Sequence, residues 1–142
     1  MINIVLIEDN PSDVFLMNLA IEETGIEFRM TDFRTGADAL NALCPAAAGA
    51  RPIPLPDLIL LDLNTPRTDG FEVLARIRLD VRLSQVPVAI ITSSSSPADR
   101  HRAAQLGATT YLQKPTELAA FLGKMAGAVK ELLGENAGKS SN

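Results

Sequence analysis

Residues 58–63 read LILLDL, and two stretches of similar character lie at 2–7, INIVLI, and at 86–91, VPVAII. Continuous apolar runs of this length, rich in branched residues, are typical of strands buried on both faces of a sheet. Two weaker strands are predicted at 28–33 and 109–113, where apolar and polar residues are mixed. The chain therefore carries the elements of a five-stranded sheet.

Segments with helical spacing of apolar residues alternate with these strands. The predicted helices cover 12–24, which opens with Ser12 as its cap, 35–43, 70–81, 98–106 and 116–133. Alternation of strand and helix predicts an α/β fold: a doubly wound parallel sheet, covered on both faces, with its functional site at the carboxyl ends of the strands. The stretch 45–56 contains four prolines and is predicted to be a surface loop.

The length of the chain and its apolar content suit one packed domain. Of the 142 residues, 46% are hydrophobic and 21% charged, as in an ordinary globular protein. We assign the domain to residues 1–133. Residues 134–142 are polar or small, and we expect them to form a disordered tail.

Charge and cysteine content exclude several classes of function. The formal net charge of −4 gives no basic surface for a nucleic-acid backbone, so we expect no direct nucleic-acid binding. Cys44 is the only cysteine and has no partner for an intrachain disulfide. No apolar run approaches the roughly 20 residues needed to cross a bilayer. We therefore expect a cytoplasmic protein that does not enter a membrane.

Polar residues that can perform chemistry stand where the predicted strands end. Glu8 and Asp9 follow the first strand, Asp62 closes the third, Thr92 closes the fourth and Lys114 closes the fifth. The carboxyl ends of strands in a doubly wound sheet face one crevice. We therefore expect these residues to lie close together although they are far apart in sequence.

Three carboxylates in one cleft repel each other and need a proton or a cation to offset that repulsion. A set of oxygen ligands of this kind suits Mg²⁺, which binds through one or two carboxylates and a phosphate oxygen. With its charge screened, one aspartate can act as a nucleophile toward phosphorus. An ammonium group and a hydroxyl, here Lys114 and Thr92, would then stabilise the transferring group.

Four segments resemble the signature of response-regulator receiver domains and occur in the same order. They are IEDN at 7–10, LLDLNTP at 60–66, ITS at 91–93 and GATTYLQKP at 107–115. Each motif alone is weak, but together they are specific. The resemblance covers about residues 2 to 133 and implies a flavodoxin-like (βα)5 fold with strand order 2-1-3-4-5.

The resemblance also implies how an acceptor and a metal site would be built. Asp62 would accept the phosphoryl group, and Asp9 would ligate Mg²⁺ directly. Glu8, which stands where an aspartate is commoner in the family, would act on the metal mainly through water. The Asn64 main-chain carbonyl would complete the protein ligands.

Further roles follow from the same resemblance. Thr92 would bond the phosphoryl group, Lys114 would pair with it, and Tyr111 would be the aromatic residue that turns inward when the domain switches. A cis peptide bond before Pro115 would direct Lys114 inward.

The implied partner is a sensor histidine kinase that donates the phosphoryl group. The run at 62–70, the proline-rich loop before it and the lack of an output domain are similar to small regulators of bacterial phytochrome kinases. Another sensor kinase remains an alternative, and the downstream protein target is left open. In this interpretation the chain is a signalling switch and not an enzyme.

Two other functions are alternatives for this sequence. One is a receiver-fold scaffold that works without phosphorylation, which the complete set of acidic, hydroxyl and lysine residues argues against. The other is a phosphatase of the haloacid dehalogenase type, which pairs its nucleophile with an acid two residues on, where this chain has Asn64.

Two apolar surfaces are candidates for protein contact. Phe15 widens the apolar part of the first helix, so an apolar side chain is predicted to be exposed there, either as a docking site for a partner or as an ordinary exposed phenylalanine. In the last helix, four residues have the spacing expected of a buried face: Leu118, Leu122, Met125 and Val129. Phe121 and Leu132 would broaden that stripe toward a homodimer interface.

Overall fold

The computed structural model describes residues 1–46, 49–64 and 69–140, with side chains up to residue 134. Strands and helices alternate along the chain. In order they are β1 (Ile2–Ile7), α1 (Pro11–Glu22), β2 (Phe28–Phe33), α2 (Gly36–Leu43), β3 (Leu58–Asp62), α3 (Gly70–Leu79), β4 (Val88–Thr92), α4 (Pro97–Gln105), β5 (Thr110–Gln113) and α5 (Leu118–Ser140). A short 3-10 helix, Val81–Leu83, follows α3.

The five strands form one parallel sheet in the order β2-β1-β3-β4-β5. This confirms the predicted flavodoxin-like topology. Every residue of β3 and of β4 is buried, because helices cover both faces of the sheet centre. The continuous apolar runs that predicted these strands reflect this burial.

Alternate residues of the central strands supply two separate core layers. On one face the buried strand side chains pack with α1 and α5, and on the other with α2 and α3. The first layer includes Ile4, Leu6, Leu58, Leu60, Ala89 and Ile91, and the second includes Val5, Ile7, Ile59, Leu61, Val88 and Ile90. The period of two along a strand assigns neighbouring residues to opposite layers.

The start of α1 differs from the prediction. Its N-cap is Asn10 and not Ser12, because the Asn10 side chain accepts hydrogen bonds from the amides of Ser12 at 2.9 Å and Asp13 at 3.4 Å. Pro11 then occupies the first helical turn, where its missing N–H costs nothing. The helix therefore begins at Pro11, two residues after Asp9.

Three predictions for α5 were wrong. Leu118 is 54% exposed and does not belong to the core, whereas Phe121 and Leu132 are buried in it. These two side chains pack against the sheet, so they are not available to a homodimer interface. The helix also continues to Ser140 in place of ending at Leu133, since no proline interrupts it. The domain boundary at 133 stays a prediction, and residues 141–142 lie outside the described part of the chain.

Two other expectations concern loops and membranes. The described residues of the proline-rich stretch, 45–46 and 49–56, form neither helix nor strand, as predicted, whereas 47–48 lie outside the described residues. Among the described residues, there is no helix with the length and apolar character required to cross a lipid bilayer.

Candidate functional site

The sheet register brings the polar strand ends together. Ile7 pairs with Leu61, so Glu8 follows on β1 beside Asp62 on β3. Asp62 in turn pairs with Ile91, the residue before Thr92. The next pair is Thr92 with Gln113, and the Lys114 amide donates to the Thr92 carbonyl at 2.7 Å. The predicted residues therefore form one row across three adjacent strands and the end of β5.

The turn after β3 is held close to the site by a glycine. A Cβ atom at Gly70 would lie 2.8 Å from the Leu63 Cα, which no side chain tolerates. Gly70 is thus needed where α3 begins over the end of β3. This packing, with the Asp69 side chain capping the Phe71 amide at 3.0 Å, brings α3 next to the segment that carries Asp62.

Three carboxylates form a compact acidic cluster at this edge. Ligand oxygens of Glu8, Asp9 and Asp62 all lie within 4.8 Å of one another. Glu8 and Asp62 are buried, whereas Asp9 is half-buried. These residues are the three carboxylates of the predicted metal-binding set.

Lys114 lies at the centre of the acidic residues and is bonded to three of them. Its Nζ donates to Glu8 Oε2 at 2.8 Å, to Asp13 Oδ2 at 2.9 Å and to Asp62 Oδ2 at 2.9 Å. Asp13, in the first turn of α1, was not predicted to belong to the site. The peptide bond before Pro115 is trans, so the suggested cis bond was wrong. Lys114 reaches the cluster without it.

Burial and mutual repulsion change the acid–base properties of the cluster. Burial, followed by hydrogen bonding to Asp62 and the charge of Asp62, raises the pKa of Glu8 to about 7, although Lys114 acts in the opposite direction. Burial alone would lower the pKa of Lys114, but its hydrogen bonds to Glu8, Asp13 and Asp62 outweigh that effect and raise it. Lys114 therefore stays protonated, and its positive charge offsets the mutual repulsion of the carboxylates around it.

The hydroxyl of Thr92 faces Asn64. Asn64 Nδ2 donates to Thr92 Oγ1 at 2.8 Å and to Ser93 Oγ at 3.3 Å, while the Asn64 amide donates to Asp62 Oδ1 at 2.9 Å. Thr92 Oγ1 also accepts from the Ser94 amide at 3.2 Å. Asn64 thus connects the end of β3 to the end of β4 through its side chain, an arrangement that the sequence did not indicate.

Tyr111 is half-buried on β5 and contacts the loop after β4. Its hydroxyl donates to the Ser94 carbonyl at 3.2 Å, and Arg100 of α4 stacks over its ring at 4.7 Å. The Ser94 hydroxyl donates to Asp99 at 2.8 Å in the first turn of α4. Tyr111 therefore lies next to the segment that joins Thr92 to α4.

All the predicted site residues lie at this edge of the sheet. Glu8, Asp9, Asp62 and Lys114 share the acidic cluster; Thr92 and Asn64 lie beside it, and Tyr111 is farther along β5. Asp13 was missed, because its contact with Lys114 joins residues that are 101 positions apart in the sequence.

The donor set fits a hard divalent cation. Three carboxylate oxygens within reach of one another, two of them buried, are the kind of ligand set that Mg²⁺ prefers. A proton on Glu8 offsets part of the repulsion in the metal-free protein, as its raised pKa indicates. A bound cation would replace that proton.

Comparisons with known proteins identify the family. The model of the response regulator receiver domain matches residues 4–126, and the chain belongs to this family. The probable methanogenesis regulatory protein FilR2 of Methanothrix harundinacea is 39% identical over 112 residues, which is 79% of this chain and 71% of FilR2. Domains of this family are signalling switches that histidine kinases phosphorylate.

Two similar proteins have solved structures. Response regulator Rcp1 of Synechocystis is 34% identical over 115 residues, which is 81% of this chain and 78% of Rcp1. Its Mn²⁺-bound crystal structure superposes with a TM-score of 0.84, covering 94% of this chain and 95% of Rcp1 at 31% identity. The phosphorylated cyanobacterial phytochrome response regulator RcpA gives a TM-score of 0.82 at 32% identity, covering 92% and 93% of the two chains.

Proposed function

We propose that this receiver domain accepts a phosphoryl group on Asp62 from a histidine kinase and responds by changing a protein-binding surface. The observation that carries the proposal is the bond between Lys114 and Asp62 inside the acidic cluster. One carboxylate there can act as the nucleophile while a fixed cation is ready for the charge of the incoming group.

In the proposed transfer, a carboxylate oxygen of Asp62 attacks the phosphorus of a phosphohistidine. The new O–P bond forms as the P–N bond breaks, and the departing imidazole takes a proton from solvent. The product is an acyl phosphate on Asp62. Its oxygens would accept hydrogen bonds from Lys114 and Thr92, which are fixed donors at the transferring group.

We assign Mg²⁺ to Asp9 and Asp62, with Glu8 acting mainly through water and the Asn64 main-chain carbonyl as a further ligand. When bound, the ion supplies positive charge that screens Asp62 and neutralises the transferring phosphoryl oxygens. The close grouping of the three carboxylates supports this assignment, as does the raised pKa of Glu8.

The response would pass through Thr92. Its hydroxyl accepts hydrogen bonds from Asn64 and from the Ser94 amide, and its own O–H is left to donate to the phosphoryl group, toward which the hydroxyl would move. The loop that begins at Ser94 would follow, and Tyr111 would lose its bond to the Ser94 carbonyl and turn inward. The face made by α4 and β5 would thereby change shape.

The partner in this proposal is a sensor histidine kinase in the cytoplasm, and a bacterial phytochrome is the candidate that the relatives suggest. RcpA is a cyanobacterial phytochrome response regulator, and it resembles this chain over more than nine-tenths of both proteins. Phe15 is 66% exposed on α1 beside the site, which supports this helix as a contact surface. Turnover of a phosphate ester is not proposed, because Asn64 occupies the position where a phosphatase of that type needs an acid.

Intact mass spectrometry tests the acceptor. The wild-type protein and Asp62→Asn are incubated with acetyl phosphate, with Mg²⁺ or with EDTA. The proposal predicts the gain of one phosphoryl group by the wild type with Mg²⁺, and no gain by the variant. Equal labelling of the variant would place the phosphoryl group on another residue.

A further inference from the structure

The hydrogen-bonding capacity of Lys114 is fully used. An ammonium group has three N–H donors and no acceptor. The three donors are directed to Glu8, Asp13 and Asp62 at 2.8, 2.9 and 2.9 Å. When Asp62 becomes an acyl phosphate it loses its carboxylate charge, so the donor now bonded to Asp62 passes to a phosphoryl oxygen. A second bond from Lys114 to this doubly charged group requires the release of either Glu8 or Asp13.

The three carboxylates differ in how easily they can be released. The Glu8 and Asp62 side chains are 4% and 6% exposed, whereas that of Asp13 is 28% exposed. A buried carboxylate that loses its cation is left without solvent to replace it, which is costly. Asp13 can exchange Lys114 for water, so its bond is the one that breaks at the least cost.

We propose that phosphorylation of Asp62 moves one Lys114 donor from Asp13 to the phosphoryl group, and that Asp13 is the positioning residue that links the acceptor site to α1. This inference rests on the proposed function. Asp13 lies in the first turn of α1, and its amide is capped by Asn10, whose own amide donates to Glu8 at 3.2 Å. Release of the Asp13 side chain thus alters a turn that is anchored to the same cluster.

The consequence is a second responding surface, separate from the one made by α4 and β5. The residues that follow the cap, Pro11, Ser12, Phe15 and Leu16, line an open apolar depression on α1. Release of Asp13 changes the charge and the hydrogen bonds beside this depression. The domain would therefore present a different α1 surface before and after it receives the phosphoryl group.

Asp13 also opposes phosphorylation itself. Its carboxylate occupies a Lys114 donor and adds negative charge near the position of the incoming group. Asp13→Asn removes the charge while keeping the shape of the side chain, and it should accelerate labelling by acetyl phosphate about fivefold, the size of one solvent-screened charge interaction at contact distance. Asp13→Glu keeps the charge and should therefore label more slowly than Asp13→Asn.

Asp32→Asn is the matched control for charge. Asp32 lines a cavity of about 110 Å³ together with Glu8 and Asp9, but it is not among the Lys114 partners in the described part of the chain. The Asp32→Asn substitution therefore removes a nearby negative charge without releasing a Lys114 hydrogen-bond donor. Its labelling rate should rise less than about twofold, since the charge acts through solvent.

The experiment combines labelling rates with amide NMR. Intact mass follows phosphorylation by acetyl phosphate with Mg²⁺, and two-dimensional ¹H–¹⁵N spectra follow the amides of Ser12, Asp13 and Val14. In the wild type, Asp13→Glu and Asp32→Asn, these amides should shift when the phosphoryl group is added. In Asp13→Asn their shift should be largely lost, while the shift of the Tyr111 amide persists.

The outcomes separate this inference from the proposed function. If the wild type takes up no phosphoryl group, the proposed function is wrong and the inference falls with it. If the wild type is labelled but Asp13→Asn shows wild-type shifts in α1 and labels no faster than Asp32→Asn, then Asp13 is not the exchanged partner. The acceptor role of Asp62 would survive that result.

Discussion

The two halves of the switch are packed very differently. β3, which ends in Asp62, and β4, which ends in Thr92, are buried at every residue, whereas no residue of β5 is fully buried. On the helices, α3 buries four residues and α4 only Ala103. Asp62, the proposed acceptor, therefore ends a fully buried strand, whereas the surface that is proposed to respond is held by few apolar contacts. Such a region opens at a lower free energy than the core.

Polar contacts take the place of burial in α4. Arg100 stacks on Tyr111 at 4.7 Å and Arg102 on Phe71 at 4.2 Å, each worth about 0.5–1 kcal/mol where exposed to solvent. At the far end of α4, Arg78 donates to the carbonyls of Val86 at 2.7 Å and Gly107 at 2.9 Å. The end of α4 near Gly107 is thus bonded to α3, whereas the end near Ser94 is held by the hydrogen bonds of Ser94 with Asp99 and Tyr111.

The largest expected effect distinguishes the core strands from α4. Ile59→Ala removes a fully buried side chain of β3 and should lower the free energy of unfolding by about 2–5 kcal/mol. Ala103→Gly, in α4, should lower it by about 1–2 kcal/mol, through helix propensity and the loss of one buried methyl group. Urea denaturation followed by circular dichroism measures both. Equal losses would show that α4 contributes to global stability as strongly as β3.

The next largest effect is the pH dependence of stability that the acidic cluster causes when no metal is bound. The pKa of Glu8 is raised to about 7 in the folded protein by burial first and then by Asp62, from an ordinary value of 4.5. The folded state therefore binds a proton more tightly. The Glu8 contribution to stability is complete below pH 4.5 and is lost as the pH rises through 7, a change on the order of 1–3 kcal/mol.

Urea titrations in EDTA at pH 5 and pH 8 measure this loss, and Glu8→Gln should remove most of the difference. Added Mg²⁺ should restore stability at pH 8, because a cation replaces the missing proton. A wild-type protein and a Glu8→Gln variant with the same pH dependence would mean that other groups are responsible.

A smaller effect is expected where the two halves meet. Asn64→Ala removes the donor that holds the Thr92 hydroxyl, a bond worth about 1 kcal/mol. The loop from Ser94 should then open about fivefold more often, and hydrogen exchange of residues 94–99 should rise by that factor without phosphorylation. Asn41→Ala, on α2 and away from Thr92, is the control that should leave this exchange unchanged.

The smallest effect is expected at Tyr111. Tyr111→Phe removes the 3.2 Å bond to the Ser94 carbonyl but keeps the ring under Arg100. It should raise local exchange at Ser94 by about twofold, the lower end of the range for a single solvent-accessible hydrogen bond. Tyr111→Ala removes both contacts and should have a clearly larger effect. If the two variants behave alike, the ring contributes nothing to holding the loop.

The central part of the fold was predictable because buried parallel strands leave a strong pattern. The runs at β1 and β3 are nearly all apolar, and their ends identified Glu8, Asp9 and Asp62 before any geometry was known. The order of the strands and the individual roles came from resemblance to a family, because strand periodicity alone does not specify which neighbour a strand takes.

The predictions that were wrong or incomplete have local physical causes. Ser12 and Asn10 are both good helix caps, and only the position of Pro11 in the first turn decides between them. Phe121 and Leu118 both fit a helical stripe, but the direction in which α5 crosses the sheet buries one and exposes the other. Asp13 joins the site through a lysine 101 residues away, a contact that no spacing rule reveals.

The most direct test of a phosphorylation-dependent switch is hydrogen exchange of the segment from Ser94 to Tyr111, with Mg²⁺ and a continuous supply of acetyl phosphate. Exchange should change in the wild type and stay constant in Asp62→Asn. Lys114→Ala should still take up some phosphoryl group but show a much smaller change, because the cation that pairs with the group is gone. A wild type that is fully labelled by mass, yet exchanges at the same rate throughout this segment, would contradict the switch and favour a scaffold that works without phosphorylation.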